Sequence, residues 1–302
     1  MPDYKVSVYC TAYNHEKYVK QTLEGFVNQK TDFPVKFIVH DDASTDGTAK
    51  IIKEYADRYP EKIFPVFQKE NQYLKGVPII RKYIYPLIEG DFVAICEGDD
   101  YWCDENKLQL QYDFLRNNPD YSMCLHNTQV INEDGSKQDV LFNYSEADRD
   151  YSTSEIIQNG PSKTAHTSSF MIRRDCIEMP DEYLLGNTGD FSRMLYCSLN
   201  GKVRYINRVM SYYRWASVGN WSERIRRNRK KHIEHCRECI NDIQRMNELT
   251  EELYKGEFDN LIAHYKYLIK VDKYPFIYDN KILKSLFTTK FKTKLKKLLL
   301  HM

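Results

Sequence analysis

Three carboxylates fall within four residues at Glu97-Gly98-Asp99-Asp100, directly after the apolar run Phe92 to Cys96 and before Tyr101-Trp102. Carboxylates this close repel one another unless they are protonated or bridged by a cation. Hard oxygen ligands favour Mg2+ or Mn2+, and an ion there would hold a diphosphate and neutralise the charge that builds as it leaves. The plain alternative for an Asp-Asp pair is a solvated acidic turn. Two further polar stretches follow apolar runs in the same way, Thr11-Ala12-Tyr13-Asn14-His15-Glu16 and Asp41-Asp42-Ala43-Ser44-Thr45-Asp46. In the second, Asp, Ser and Thr also have a competing role as helix starters, and Asp46 is placed for that role alone.

These stretches need a scaffold that brings them together. The first hundred residues alternate short β-rich runs with helical periodicity, the pattern of βαβ units building a mostly parallel sheet. Strands are predicted at Val6 to Cys10, Val35 to His40, Ile63 to Phe67 and Phe92 to Cys96. Helical spacing joins Val19, Leu23, Phe26 and Val27, and again Ile51, Ile52, Tyr55 and Tyr59; Thr45 or Asp46 would cap the second helix and Pro60 lies just past its end. A third helix is expected from about Asp104, through Leu108, Tyr112 and Leu115, stopping before Pro119. Ser152-Thr153-Ser154-Glu155 reads as a capping box, Ser168 to Ile172 as a strand, and Val203 to Arg214 as two short strands parted by Asn207 and Arg208. In an open parallel sheet ligands sit beyond the carboxyl ends of the strands, so the three polar stretches would wall one crevice. Beyond about Ser222 the chain turns polar and helical, and Leu253, Leu261, Tyr265 and Leu268 suggest a long amphipathic helix. The expected division is an α/β domain over 1–225 and a helical region over 226–302.

The strand followed by Thr11 to Glu16, the Asp41 to Thr48 segment and Glu97 to Trp102 together resemble family 2 glycosyltransferases of the GT-A, Rossmann-like fold. Order and spacing match as well, over roughly residues 5–220. The resemblance implies transfer of a sugar from a nucleotide-diphosphate donor, usually a UDP-sugar, with inversion at the anomeric carbon. It assigns Thr11, Tyr13 and Asp42 to the base and ribose, with Asn14 and Glu16 lining the same pocket. It makes Asp100 the direct ligand of Mn2+ or Mg2+, puts Asp99 close to ribose or metal, and places Glu97 at the first acidic position of the longer motif. The catalytic base of such enzymes is an acid at the start of a later helix. Asn187-Thr188-Gly189-Asp190-Phe191 fits, with Asp190 as base, although an ordinary helix cap would look the same. The stretch from Tyr212 to Trp221 resembles one that closes over the donor phosphates, with Arg214 as a phosphate contact. Related sequences often carry a histidine shortly after that arginine; Trp215 and Ala216 stand here instead, which leaves a third protein ligand to the metal open.

Composition narrows the partners. A net charge of +1 over 302 residues gives no broad basic surface, which argues against a nucleic-acid binder. No stretch reaches the ~20 apolar residues of a membrane span, and the chain passes from Met1 into Val6 without the zones of a signal peptide, so a cytoplasmic protein is expected. The eight cysteines read as reduced core thiols. Cys236-Arg237-Glu238-Cys239 with His232 and His235 has a spacing that could recruit zinc, but a single helical stretch is the simpler reading. Seven lysines and no acid between Lys281 and Lys297, interleaved with Leu283, Leu286, Phe287, Phe291, Leu295 and Leu298, suit a basic amphipathic helix. It would contact an anionic membrane surface through 281–302, or pack on the protein. The acceptor is expected to be a lipid-linked glycan first and a glycan on protein second, recognised by the region from Asn132 to Lys163 and the helical C-terminal part. A homo-oligomer stays among the options. Two other readings are a non-catalytic nucleotide-sugar-binding scaffold subunit and a sugar nucleotidyltransferase. The second lacks its glycine-rich loop after the first strand.

Overall fold

The first apolar run lies at the centre of a sheet. The structure, a computed structural model, describes residues 2–160, 163–183, 185, 189–215 and 228–273. β1 (Val6–Ala12) pairs in parallel with β2 (Val35–Asp41) on one side, and β2 with β3 (Ile63–Phe67); on its other side β1 pairs in parallel with β4 (Phe92–Ile95). The strands run one or two residues beyond, or one short of, the apolar runs, because backbone pairing continues to Ala12 opposite Asp41. Nearly every side chain of β1, β2 and β4 is buried, as expected for strands covered by helices on both faces.

Three helices provide that cover. α1 (Val19–Val27) sets Val19, Leu23 and Phe26 into the core, α2 (Thr48–Arg58) contributes Ile52, and α3 (Lys107–Asn117) contributes Leu108 and Leu115. Two helix starts differ from expectation. Gly47 is the N-cap of α2, and Asp46 serves from one residue further out, accepting from the Thr48 N–H at 3.0 Å. α3 begins three residues after Asp104, and Gln29 Oε1 from another element takes the Leu108 N–H at 3.0 Å. Asp46 thus serves the start of α2 as expected from one position further out, whereas nothing in the 104–108 stretch advertises the Gln29 cap of α3.

The second half of the sheet is mixed. After the two-residue β5 (Tyr101–Trp102) come β6 (Tyr121–Ile131), β7 (Lys137–Leu141), β8 (Arg149–Tyr151), β9 (Met171–Arg173) and β10 (Lys202–Arg214), and the sheet order is β3-β2-β1-β4-β9-β6-β10-β5. β9 runs antiparallel to β4 and β6, while β6 and β10 are parallel. α4 (Thr153–Asn159) starts at the expected capping box on Ser152 and Glu155. Of the strand expected over Ser168 to Ile172, only Met171 and Ile172 are strand; residues 167–169 form one tight turn closed by Phe170 N–H to Thr167 C=O at 3.0 Å. The two strands expected in 203–214 are one. Asn207 and Arg208 fall where its register against β6 shifts, so they mark a bulge and not a break. α5 (Gly189–Asn200) buries Phe191, Met194 and Leu195.

The chain divides into two compact units, Met1–Asn220 and Trp221–Met302. The described part of the second holds α6 (Arg229–Leu249), which includes the helical stretch expected at His232 to Cys239, and α7 (Lys255–Lys273), which takes Leu261, Tyr265 and Leu268 of the expected long helix. Leu253 lies exposed in the turn between them, after Glu251 and Glu252 adopt positive φ. His232, His235, Cys236 and Cys239 all belong to α6; His232 is engaged by Asp272, and among the described residues no group of three metal ligands forms there. All eight cysteines are free and seven are buried. No described helix is long and apolar enough to cross a membrane. The lysine-rich 281–302 tail lies outside the described residues.

α1 comes closest to β5 at Gly25, where a Cβ would stand 2.9 Å from the Trp102 carbonyl oxygen. Gly25→Ala is therefore expected to force α1 off β5, at about 1–3 kcal/mol. Urea unfolding would register this as a lowered midpoint.

Candidate active site

Strand order reverses at β1, since β2 and β3 lie to one side and β4 to the other. The crevice of such a sheet opens outside the carboxyl ends at that reversal, here between Thr11 and Glu97. Gly98 makes the close approach, its N–H donating to the Thr11 carbonyl at 3.0 Å. A Cβ at Gly98 would lie 2.9 Å from both Ala12 Cβ and His15 Nδ1. Thr22, buried on α1, shares its hydroxyl proton between the carbonyls of Gly98 (3.1 Å) and Asp100 (2.6 Å). The acidic loop is thus tied to β1 and α1 before any ligand arrives.

Asp100 is 1% exposed. Its Oδ1 accepts the Arg214 backbone N–H at 2.9 Å, and its Oδ2 is buried with no hydrogen-bond partner, 3.6 Å from His166 Nε2. Burial first, then the charges of Asp99 and Glu97, raise its pKa well above the carboxylate range. Glu97 reaches solvent, yet enclosure by protein, Asp99 and Asp190 raise it to about 8. One ligand atom from each of Glu97, Asp99 and Asp100 lies within 4.8 Å of the others, and among the described residues this is the one such group. The donors are hard oxygens, and their mutual repulsion and the orphaned Oδ2 are what a divalent cation would relieve. The set fits Mn2+ or Mg2+.

The loops after β1 and β2 interlock. Asn14, at a φ of 56°, accepts the Thr45 N–H on its side-chain oxygen at 2.8 Å and gives its own N–H to Ser44 Oγ at 2.9 Å. Glu16 N–H donates to Asp46 at 3.1 Å, leaving the Glu16 side chain exposed. Thr11 is half-buried and Tyr13 is exposed at the mouth. Asp42 is buried, and both carboxylate oxygens are occupied, by the N–H groups of Gln72 (2.8 Å) and Tyr73 (3.0 Å). Thr11, Tyr13, Asn14, Glu16 and Asp42 are thus gathered at neighbouring strand ends, with Asp42 pinning the 71–73 loop.

Arg214, at the end of β10, is also committed. Four hydrogen bonds from its guanidinium reach the carbonyls of Asp99 (3.2 Å), Asn132 (3.3 Å) and Glu133 (2.9 Å) and the Gln21 side chain (2.7 Å), and it lies 4.8 Å over the Tyr18 ring. It braces the acidic loop, and little of its donor capacity is left for a phosphate. Residues 216–221 of the same stretch lie outside the described residues, as do 186–188.

Asp190 sits exposed in the first turn of α5, where Thr167 Oγ donates to its Oδ2 at 2.7 Å. The Asp190 charge also contributes to raising the Glu97 carboxyl. Sequence reasoning missed Thr22, Gln21, His166 and Thr167. His166 stacks on Tyr213 at 4.4 Å, and burial pushes its pKa down to about 4 against the opposing charge of Asp99, so its ring is neutral at ordinary pH.

A parallel half-sheet with its reversal beside an acidic loop, continued by a mixed half, defines a GT-A-type α/β protein. Comparison with known proteins agrees. The family profile described as glycosyl transferase family 2 matches residues 7–179, and the chain belongs to that family. An uncharacterized Mycobacterium tuberculosis protein is 34% identical over 227 residues, which is 74% of this chain and 63% of that protein's own length. Among solved structures, S. aureus TarS residues 1–349 in complex with UDP-GlcNAc superposes with a TM-score of 0.60 at 21% identity, covering 96% of this chain and 77% of that one. The mannosyltransferase PcManGT of Pyrobaculum calidifontis, in complex with GDP-Man and Mn2+, gives 0.56 at 16% identity, covering 90% and 75%.

Brace and phosphate contact can be told apart at Arg214. A lysine keeps the charge but cannot span four acceptors in a plane. Arg214→Lys is expected to weaken donor binding and lower the unfolding midpoint about as much as Arg214→Ala. A lysine variant that keeps most of the binding would make the charge, and hence a phosphate contact, the operative feature.

Proposed function

We propose that the chain is an inverting, metal-dependent glycosyltransferase that moves a hexose or hexose derivative from a UDP-sugar to a glycan, lipid-linked or protein-linked acceptor. The observation that carries this reading is the carboxylate cluster of Glu97, Asp99 and Asp100 at the sheet's reversal, with a further acid, Asp190, at the start of α5, whose charge helps raise Glu97. Family membership gives the reaction class, and the UDP-GlcNAc complex of the S. aureus relative favours uridine over the guanosine of the mannosyltransferase.

In this reading Asp190 takes the proton from an acceptor hydroxyl as that oxygen attacks the anomeric carbon on the face opposite the nucleotide. The bond from the anomeric carbon to the diphosphate oxygen breaks, and UDP leaves with that electron pair. Attack from the opposite face inverts the anomeric configuration. Asp100, with Asp99 and Glu97, would hold Mn2+ or Mg2+, which supplies positive charge against the leaving diphosphate. Thr11, Tyr13, Asn14 and Glu16 line the base and ribose. Asp42 acts there once donor hydroxyls replace the Gln72 and Tyr73 N–H groups. Thr167 holds the Asp190 carboxylate in place. The catalytic part is assigned to 1–225. Within it, the stretch 132–163 receives the acceptor, and the 281–302 tail contacts the inner face of an anionic membrane.

Thermal unfolding with UDP, GDP and CDP and their common sugar conjugates, each with and without Mn2+, tests the donor. Ligand at 100 times its dissociation constant adds about 2.7 kcal/mol, so the midpoint is expected to rise by several degrees with uridine compounds plus Mn2+. A shift only with guanosine compounds would replace the donor, and none with any of them would remove the reading. Asp190→Asn is expected to abolish transfer, a loss of about 10²–10⁴-fold if it supplies general-base catalysis, with UDP binding retained. Normal turnover in that variant would exclude Asp190 as base.

A further inference from the structure

We infer that His166 Nε2 is a metal ligand, pairing with Asp100 Oδ2 to form the two-point protein grip on the cation. The inference rests on the metal-dependent reading above.

Asp100 Oδ2 is buried and has no hydrogen-bond partner, and His166 Nε2 lies 3.6 Å from it. That is too long for a hydrogen bond. Two ligands about 2.1 Å from one ion stand about 3.0 Å apart at a right angle and further apart at wider angles, so 3.6 Å suits a shared cation. The imidazole is also held as a ligand would be. Its ring is fixed between Tyr213 at 4.4 Å and Phe142 at 4.9 Å, and its Nδ1 lies 2.9 Å from Ser168 Oγ. Ser168 Oγ in turn donates to Ser211 Oγ at 2.9 Å, which leaves its lone pairs free to accept an Nδ1–H. With the proton on Nδ1, the Nε2 lone pair faces Asp100. An outer partner that fixes the tautomer is the usual arrangement of a metal-bound histidine. In the other tautomer Nδ1 accepts the Ser168 N–H at 3.3 Å, and Nε2–H then faces Asp100. That is the form suited to the site without an ion.

A nitrogen ligand changes what the site prefers, since imidazole suits first-row transition ions better than Mg2+, with Mn2+ the weakest bound of that series. Glu97 and Asp99 would then act mainly through charge, and the diphosphate and water would fill the remaining positions.

The test is Mn2+ paramagnetic resonance on the full chain with UDP. Electron spin-echo modulation from 14N is expected in the native protein, changing on labelling its histidines with 15N, and disappearing in His166→Ala and His166→Gln. The Mn2+ dissociation constant should rise roughly tenfold or more in both. Native protein that binds Mn2+ without nitrogen modulation overturns the inference and leaves the metal reading standing; this arm needs no variant to fold. Modulation that persists in His166→Gln assigns the nitrogen elsewhere and overturns it too. A variant that lost affinity while the native spectrum held no nitrogen would make His166 a positioning residue for Asp100 only. Native protein that binds no Mn2+, with or without UDP, removes the metal reading and this inference together.

Discussion

Crowding of like charge at the end of β4 is the constraint around which the rest of the structure is arranged. Three carboxyls within 4.8 Å, two of them buried, cannot all ionise without help. The fold supplies hydrogen bonds and one cation, Arg214, whose charge lowers the Asp100 carboxyl without offsetting burial and its acidic neighbours. Thr22 and Arg214 satisfy the backbone of the loop, and the Arg214 N–H satisfies one Asp100 oxygen. The carboxyls of Glu97 and Asp100 are left raised. A bound cation would offset the desolvation cost of such an arrangement, which ties the strain to the proposed function.

The topology explains why the loop can be so tightly held. Because β2 and β4 flank β1, the chain leaves the sheet in opposite directions from adjacent strands, and α1 can pass directly over the gap. Thr22 on α1 reaches the acidic loop from there, and Gly25 lets the same helix touch β5. The loops after β1 and β2 are locked by Asn14, Ser44 and Asp46. One wall of the crevice is therefore prebuilt. The Asp42 grip on the 71–73 loop depends on a carboxylate for which donor hydroxyls would compete.

Much of this half was legible in the sequence, for a physical reason. β1, β2 and β4 are continuous apolar runs ending in polar clusters, and the rule that ligands lie beyond strand carboxyl ends turns that local pattern into a site. The other half was not legible, because its determinants are long-range. Ser168 and Ser169 read as the start of a strand by composition, yet they lie in a turn in which Ser169 Oγ donates to the His166 carbonyl at 2.6 Å. The bulge at Asn207 and Arg208 looked like a break because polar residues there interrupt the apolar run. Nothing local in the stretch around Arg214 reveals that Gln21, Asn132 and Glu133 converge on it. His166 and Thr167 stand in no motif; only the antiparallel return of β9 carries them to the crevice.

That return gives the 166–168 turn an importance its length does not suggest. His166 faces Asp100, Thr167 holds Asp190, and the Ser168 carbonyl accepts the Trp102 indole N–H at 2.9 Å. Trp102 is itself fixed by buried Lys107, whose ammonium lies 3.9 Å over the ring with no hydrogen-bond partner, its pKa lowered by burial to about 7. A cation over an indole in such surroundings is a strong contact. The acidic loop, the proposed base and the tryptophan at the core of the site are therefore referenced to one three-residue turn. In an inverting displacement the acceptor oxygen, anomeric carbon and departing oxygen must lie nearly in line, and errors of about an ångström are costly. A single rigid turn carrying a contact to each pole is a compact way to fix that line.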